Sequence, residues 1–177
     1  MQFLAVCGSL RGASTNLALL EAAIELAPPG VSIEPFDGLA QLPHYNPDCE
    51  ESLPPAAAAW RALVGRADGL LLSSPEYAFG VPGSLKNALD WLVGGAEFVG
   101  KPIALLGASP RAVTSRESLV RTLTAMAGRI VEEASITLPL LGRKLDAAAL
   151  LADPALREPL EHALAAFVES VKNGRDR

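Results

Sequence analysis

The chain has 177 residues, 50% of them hydrophobic, 20% charged and only 5% aromatic, with a formal net charge of −5. That length supports one domain, residues 1–177, whose core needs no disulfide or metal staple, and the composition excludes a disordered chain. The acidic balance argues against a nucleic-acid binder, which needs a basic face to neutralise phosphates, and no apolar run approaches the ~20 residues that span a bilayer.

The apolar pattern alternates between two kinds of segment along the chain. Residues 3–7 form a short run without polar alternation, as suits a strand covered on both faces. Leu17, Leu20, Ile24 and Ala27 then recur on one helical face until Pro28-Pro29-Gly30 ends the helix. Residues 31–36 alternate in part and predict a strand nearer an edge, followed by a helix over 54–66 with Trp60 and Leu63 facing inward. Residues 69–72 predict a fully covered strand, and 82–93 a helix opening on Pro82, in the first turn where a missing N–H costs least. The remaining elements are a strand at 103–106, a helix at 115–127, a weaker strand at 132–138 and a helix at 154–171.

Five strand–helix alternations imply an α/β sandwich around a parallel sheet, and right-handed crossovers favour the doubly wound order 2-1-3-4-5. In such a sheet ligands lie outside the carboxyl ends of the strands, near the switch between strands 1 and 3. The loops to inspect are those after Cys7, Ser74 and Gly107.

The first loop, Gly8-Ser9-Leu10-Arg11-Gly12-Ala13-Ser14-Thr15-Asn16-Leu17, is small and polar and runs straight into a helix. Ser9, Ser14 and Thr15 offer hydroxyls, the helix start offers free N–H groups, and Arg11 offsets anionic charge, so a phosphate suits it. Ordinary turn chemistry with Ser14 as an N-cap is the competing reading. The dinucleotide fingerprint G-x-G-x-x-G is missing. Gly95 to Lys101 mimics a Walker A loop, but Pro102 replaces its Ser/Thr and the segment precedes a strand, so we read it as coincidence. The second loop, Ser73-Ser74-Pro75-Glu76-Tyr77-Ala78-Phe79-Gly80-Val81-Pro82-Gly83, holds two aromatics between prolines, which fits either a planar ligand or packing under a neighbouring element or subunit.

Gly8-Ser9-Leu10-Arg11 with Ser14 and Asn16, Pro75-Glu76-Tyr77, and Pro82-Gly83-x-Leu85-Lys86-Asn87-Ala88-x-Asp90-Trp91 together resemble the NAD(P)H-dependent FMN reductase family, with its chromate, quinone and azo-dye reductases. The resemblance covers nearly the whole chain in element order. It implies a flavodoxin-like three-layer sandwich with FMN as cofactor and NADPH or NADH as cosubstrate. Ser9, Arg11, Ser14, Asn16 and Leu17 would wrap the ribityl phosphate, with Thr15 among them as a further hydroxyl donor. Pro75, Glu76, Tyr77, Ala78 and Phe79 would run beside the isoalloxazine ring, and Gly107-Ala108-Ser109-Pro110 would approach its other side. It also implies a homodimer or homotetramer with the flavin near the subunit contact, where the helix carrying Lys86, Asn87, Asp90 and Trp91 would take part.

The chain departs from the family pattern twice. Ala78 stands where many members carry Asn, and the third loop continues Arg111-Ala112-Val113-Thr114-Ser115-Arg116 in place of a glycine-rich stretch. Two readings stand for Arg111 and Arg116: contact with the phosphates of a nicotinamide nucleotide, or solvation of a helix start.

A bound flavin would carry the redox step, so no catalytic side chain is assigned and Glu76 is read as a structural acid. The expected activity is hydride transfer from NAD(P)H to a small acceptor such as free flavin, a quinone, an azo compound or a metal oxyanion. A flavin-binding electron carrier without NAD(P)H activity is the alternative, and a nonredox subunit with a decayed site is the least favoured. His44, His162, Cys7 and Cys49 match no recognised metal spacing, so no metal is expected. Cys7 in a covered strand should be inert, and Cys49 beside Glu50 and Glu51 should disfavour its thiolate. Two cysteines and an uncharged N-terminal segment make a cytoplasmic setting the default, and the basic tail from Lys172 to Arg177 reads as a solvated end. Four of the nine aromatics, Tyr77, Phe79, Trp91 and Phe98, cluster in sequence and are read as marking a flat ligand and a subunit contact.

Overall fold

A computed structural model of the chain describes residues 1–143 and 145–175. The elements are β1 (Gln2–Cys7), α1 (Thr15–Glu25), β2 (Ser32–Phe36), α2 (Pro55–Arg66), β3 (Gly69–Ser73), α3 (Gly83–Asp90), β4 (Pro102–Leu105), α4 (Val113–Ala125), β5 (Arg129–Ile130), α5 (Ala147–Ala152) and α6 (Pro154–Arg175). Their strands pair in parallel in the order β2-β1-β3-β4-β5, the flavodoxin-like sandwich expected from the alternation.

Side chains alternate across the sheet and so divide the core in two. Phe3, Ala5, Leu71, Ala104 and Leu106 face a layer built by α1, α5 and α6, where Phe3 meets Phe167 at 4.8 Å between ring centroids. Leu4, Val6, Leu70, Leu72, Ile103 and Leu105 face α2, α3 and α4, where Trp60 stacks on Phe36 at 4.4 Å. Because both faces are covered, the central strands read as uninterrupted apolar runs.

Several expectations shift. The inner face of α1 is Leu19, Ala22 and Ala23 with Leu20, whereas Leu17 and Ile24 are only half-buried; Ala at the contact lets this helix sit close to the sheet. Pro82 caps α3 from outside its first turn. The strand expected over 132–138 is displaced to Arg129–Ile130. Residues Glu132–Ala134 form a 3-10 turn, and the Ser135 hydroxyl takes the Leu105 N–H at 3.0 Å, a donor that a continuing strand would have paired with a carbonyl. A single parallel bridge, Gly107 to Thr137, resumes the pairing further on. Lys172, Asn173 and Gly174 of the basic tail are exposed at the end of α6, while Asp176 and Arg177 lie outside the described residues.

The aromatic cluster also divides. Trp91 and Phe98 are fully buried in the second core layer, and only Tyr77 and Phe79 reach the surface. Asn87 and Trp91 hold the segment after β2 against α3. The Tyr45 N–H donates to Asn87 Oδ1 at 2.8 Å, while Asn87 Nδ2 and Trp91 Nε1 both donate to the Pro43 carbonyl. Buried Arg61 extends this brace, donating through Nη2 to both Glu50 carboxylate oxygens and through Nε to the Trp91 carbonyl. The Lys86–Asp90 ion pair runs along the exposed side of α3. At the amino edge of the sheet, Lys101 donates to the Gly65 and Ala67 carbonyls at the end of α2, so the Walker-like segment serves as a helix stop. Burial lowers the pKa of this lysine, against a raising contribution from Asp68. Asn87→Ala removes both side-chain bonds to residues 43–45 and should lower the unfolding free energy by about 1–2 kcal/mol. A urea midpoint equal to that of the wild type would show that the segment is held by other contacts.

Candidate functional site

The carboxyl ends of β1, β3 and β4 open into one cleft. Gly8 continues the ladder beyond β1 by donating its N–H to the Ser73 carbonyl at 2.8 Å, and Leu106 does the same beyond β4 toward Leu72. The first two loops touch here: a Cβ on Gly8 would stand 2.6 Å from Ser74 Oγ, closer than packed atoms allow. The third loop approaches the segment after β5 as tightly, since a Cβ on Gly107 would stand 2.6 Å from Thr137 Oγ1. Between them lies a cavity of about 350 Å³ with Leu72, Leu105, Leu106 and Leu119 as its apolar wall.

The start of α1 supplies one polar end. Ser14 caps the helix, accepting from the Leu17 N–H at 3.4 Å, and the buried Asn16 side chain accepts from the Ser73 hydroxyl at 3.0 Å. The Ser14 cap and the Asn16 side chain are thereby engaged within the fold, and the first-turn N–H groups of Thr15 and Asn16, which no helical carbonyl can reach, have no acceptor among the described residues. Ser9 Oγ accepts from the Arg11 N–H at 3.2 Å and lies 3.5 Å from the Tyr77 hydroxyl, linking the first and second loops. Burial pushes the Cys7 thiol above its ordinary value, outweighing hydrogen bonds from the Ser9 backbone and the Ser14 side chain that pull it down.

The second loop is a two-residue turn in an uncommon conformation. Tyr77 and Gly80 exchange both backbone hydrogen bonds, at 3.1 and 2.9 Å, while Ala78 and Phe79 adopt φ of +48° and +62°. Both central residues at positive φ define a type I′ turn, whose usual occupants are Asn and Gly. Ala and Phe hold this shape at a cost, and strain of this kind persists only where the surroundings impose it. The N–H groups of Ala78 and Phe79 have no acceptor among the described residues. Glu76 anchors the loop from below: its Oε2 accepts from the Ser115 N–H at 2.8 Å in the first turn of α4, a helix whose own N-cap, Ala112, has no side-chain acceptor to give.

Of the residues read from sequence, Thr15, Asn16, Pro75, Glu76, Ala108 and Ser109 line the cavity. Ser9, Arg11, Ser14, Leu17, Tyr77, Ala78 and Phe79 do not form its wall. Arg11, Tyr77, Ala78 and Phe79 are exposed, while Ser14 caps α1 and Leu17 lies in its first turn. Ser74, Thr137 and Leu141 also line the cavity and were missed. Thr137 and Leu141 arrive from an irregular segment after β5, where the apolar pattern predicts a strand over 132–138 but marks no site residue. Ala78→Gly relieves the left-handed strain and should raise stability by roughly 0.5–1 kcal/mol. An unchanged or lower denaturation midpoint would contradict the strained turn.

Residues 1–140 match the family model described as NADPH-dependent FMN reductase. An NAD(P)H-dependent FMN reductase of Pseudomonas aeruginosa is 38% identical over 173 residues, covering 94% of this chain and 93% of that protein. A 2-hydroxy-1,4-benzoquinone reductase of Burkholderia is 41% identical over 111 residues, covering 61% of this chain and 60% of that protein. Among solved structures, the flavoenzyme FerB of Paracoccus denitrificans, an NAD(P)H:(acceptor) oxidoreductase, superposes with a TM-score of 0.82 at 26% identity over 98% of both chains. With the cleft at the expected edge of the expected sheet, these likenesses agree on one assignment: the chain belongs to the NADPH-dependent FMN reductase family.

Proposed function

We propose that the cleft seats FMN with its phosphate on the loop from Ser9 to Leu17 and its ring system beside Pro75, Glu76, Tyr77, Ala78 and Phe79, with Ala108 and Ser109 on the other side. Family membership makes the protein an NAD(P)H-dependent, FMN-containing oxidoreductase. The observation that carries the placement is that two loops with backbone donors unpartnered among the described residues, Thr15 and Asn16 on one and Ala78 and Phe79 on the other, both line one apolar-walled cavity, the first through Thr15 and Asn16 and the second through Ser74, Pro75 and Glu76. The donor set fits the cofactor. A helix N-terminus with adjoining hydroxyls suits a phosphate, and an apolar wall suits a flat ring with a polar edge.

Bound FMN supplies the redox chemistry, accepting hydride from NAD(P)H and delivering two electrons to an acceptor. The chain's own part is position and field. The N–H groups of Thr15 and Asn16, the Ser9 and Thr15 hydroxyls and the positive end of α1 hold the phosphate, and exposed Arg11 offsets its charge. The Ala78 and Phe79 N–H groups stabilise negative charge on the ring edge. We assign no catalytic side chain, since the Glu76 carboxylate is engaged with α4.

The acceptor in this reading is a small planar molecule of the quinone or flavin type. Support comes from the apolar wall and from the quinone reductase among the relatives. The proposal includes residues 1–177 working as one domain and a homodimer that covers the rim. Of the seven large hydrophobics exposed among the described residues, Leu10, Tyr77, Phe79, Val113 and Leu141 lie on the loops and helix start around the cleft. It also includes a cytoplasmic setting, consistent with free thiols at Cys7 and Cys49; no helix among the described residues is long and apolar enough to cross a membrane.

The purified protein should take up FMN and, on rapid mixing with NAD(P)H, bleach the flavin band before re-oxidation by a quinone. Arg11→Ala should weaken FMN binding by roughly 1.5–3 kcal/mol in a fluorescence titration. A protein that binds FMN without bleaching would be a carrier, and one that binds no FMN would overturn the placement.

A further inference from the structure

We propose that Arg111 and Arg116 form a second anion subsite in this cleft, one that binds the diphosphate of NAD(P)H apart from the FMN phosphate. The inference rests on the cleft being the FMN site. Three charged side chains line the cavity: Glu76, Arg111 and Arg116. The Glu76 carboxylate is held by the Ser115 N–H at 2.8 Å, so its charge is directed at the first turn of α4. Neither guanidinium has an ion pair or hydrogen bond among the described residues. Arg11, Arg66 and Arg121 are also unpaired among the described residues, but they do not line this cavity. Four other arginines are engaged: Arg61 with Glu50, Arg129 with Ser170, Arg143 with Asp153 and Arg157 with Glu161.

The placement of the pair selects the ligand. Thr15 and Asn16 stand on the β1 side of the cavity, whereas Arg111 and Arg116 stand on the β4 side, flanking the start of α4, whose first turn is met by the Glu76 carboxylate. With one anion on the Thr15 side, Glu76 is the single carboxylate lining the cavity against two guanidiniums, and a net positive charge remains on the β4 side. Ser109 fixes the backbone there by accepting the Arg111 N–H at 3.2 Å. Arg111 is exposed and Arg116 half-buried, and both line the cavity, so a ligand in it meets two forked cations. NAD(P)H is the ligand of the reaction that must enter at every turnover carrying a diphosphate, and guanidinium pairs suit that group through paired hydrogen bonds.

The test uses FMN-loaded protein and calorimetric titration with NADP+ and NAD+, alongside Michaelis constants for NADPH and for uncharged and sulfonated benzoquinones. The R111A/R116A double variant should weaken NADP+ and NAD+ binding alike by about 10- to 100-fold and raise the NADPH Michaelis constant in step. Its FMN affinity should stay within about twofold, and R111K/R116K should restore part of the loss. Unchanged affinity for both nucleotides overturns the subsite. So does a loss confined to NADP+, which would place the 2′-phosphate there, or a change confined to the sulfonated quinone, which would make it an acceptor site. A parallel loss of FMN affinity overturns the separation of the two anion sites. Wild-type protein that binds no FMN would defeat the functional reading itself, a failure visible before any variant is compared.

Discussion

The close seating of β1 against β3 positions every loop of the cleft. Both strands run the same way, so their carboxyl ends meet at one edge of the sheet, and the chain leaves those ends toward opposite faces. The crevice follows from topology and needs no side chain to open it. What the sequence adds is proximity. A glycine at position 8 lets the first loop pass Ser74, Gly107 lets the third loop pass Thr137, and the Ser73–Asn16 hydrogen bond ties the start of α1 to the end of β3. Three loops thereby line the same volume, whose apolar wall comes from the strand ends and α4.

Around this edge, polar side chains work mainly as braces. Asn87, Trp91 and Arg61 hold the segment after β2 on α3, and Glu76 ties the second loop to α4. The motif from Pro82 to Trp91, the longest part of the family resemblance, is accordingly structural in large part. Its Asn and Trp face a neighbouring loop, and its Lys and Asp pair with each other. A rigid frame of this kind suits chemistry carried by a bound flavin, in which the protein contributes orientation and field.

The central elements were legible because parallel strands covered on both faces leave an uninterrupted apolar run, and residues 3–7, 69–72 and 103–106 all have one. The first loop was legible for a different reason: small polar residues before a helix state their chemistry directly. Other features left no such trace. β5 is two residues long, and a serine hydroxyl interrupts its continuation, so the pattern pointed a few residues too far along. α5, six residues of nearly uniform Ala and Leu, shows no periodic face. The I′ turn at Ala78 and Phe79 was hidden because its residues oppose the usual Asn-Gly signature, and only the flanking structure imposes the conformation. Trp91 and Phe98 misled for the converse reason, since nearness in sequence to the aromatic loop said nothing about which way each ring points.

In the proposed placement, FMN bridges the donors at the start of α1 and those of the second turn. Amide hydrogen exchange, read residue by residue by NMR with and without FMN, tests it most directly. Without FMN the Thr15, Asn16, Ala78 and Phe79 amides lack helical or turn acceptors and should exchange freely. FMN should slow all four together while leaving Lys101 and its neighbours at the opposite edge unchanged. Protection confined to one of the two sets, or appearing at the opposite edge, would contradict the account.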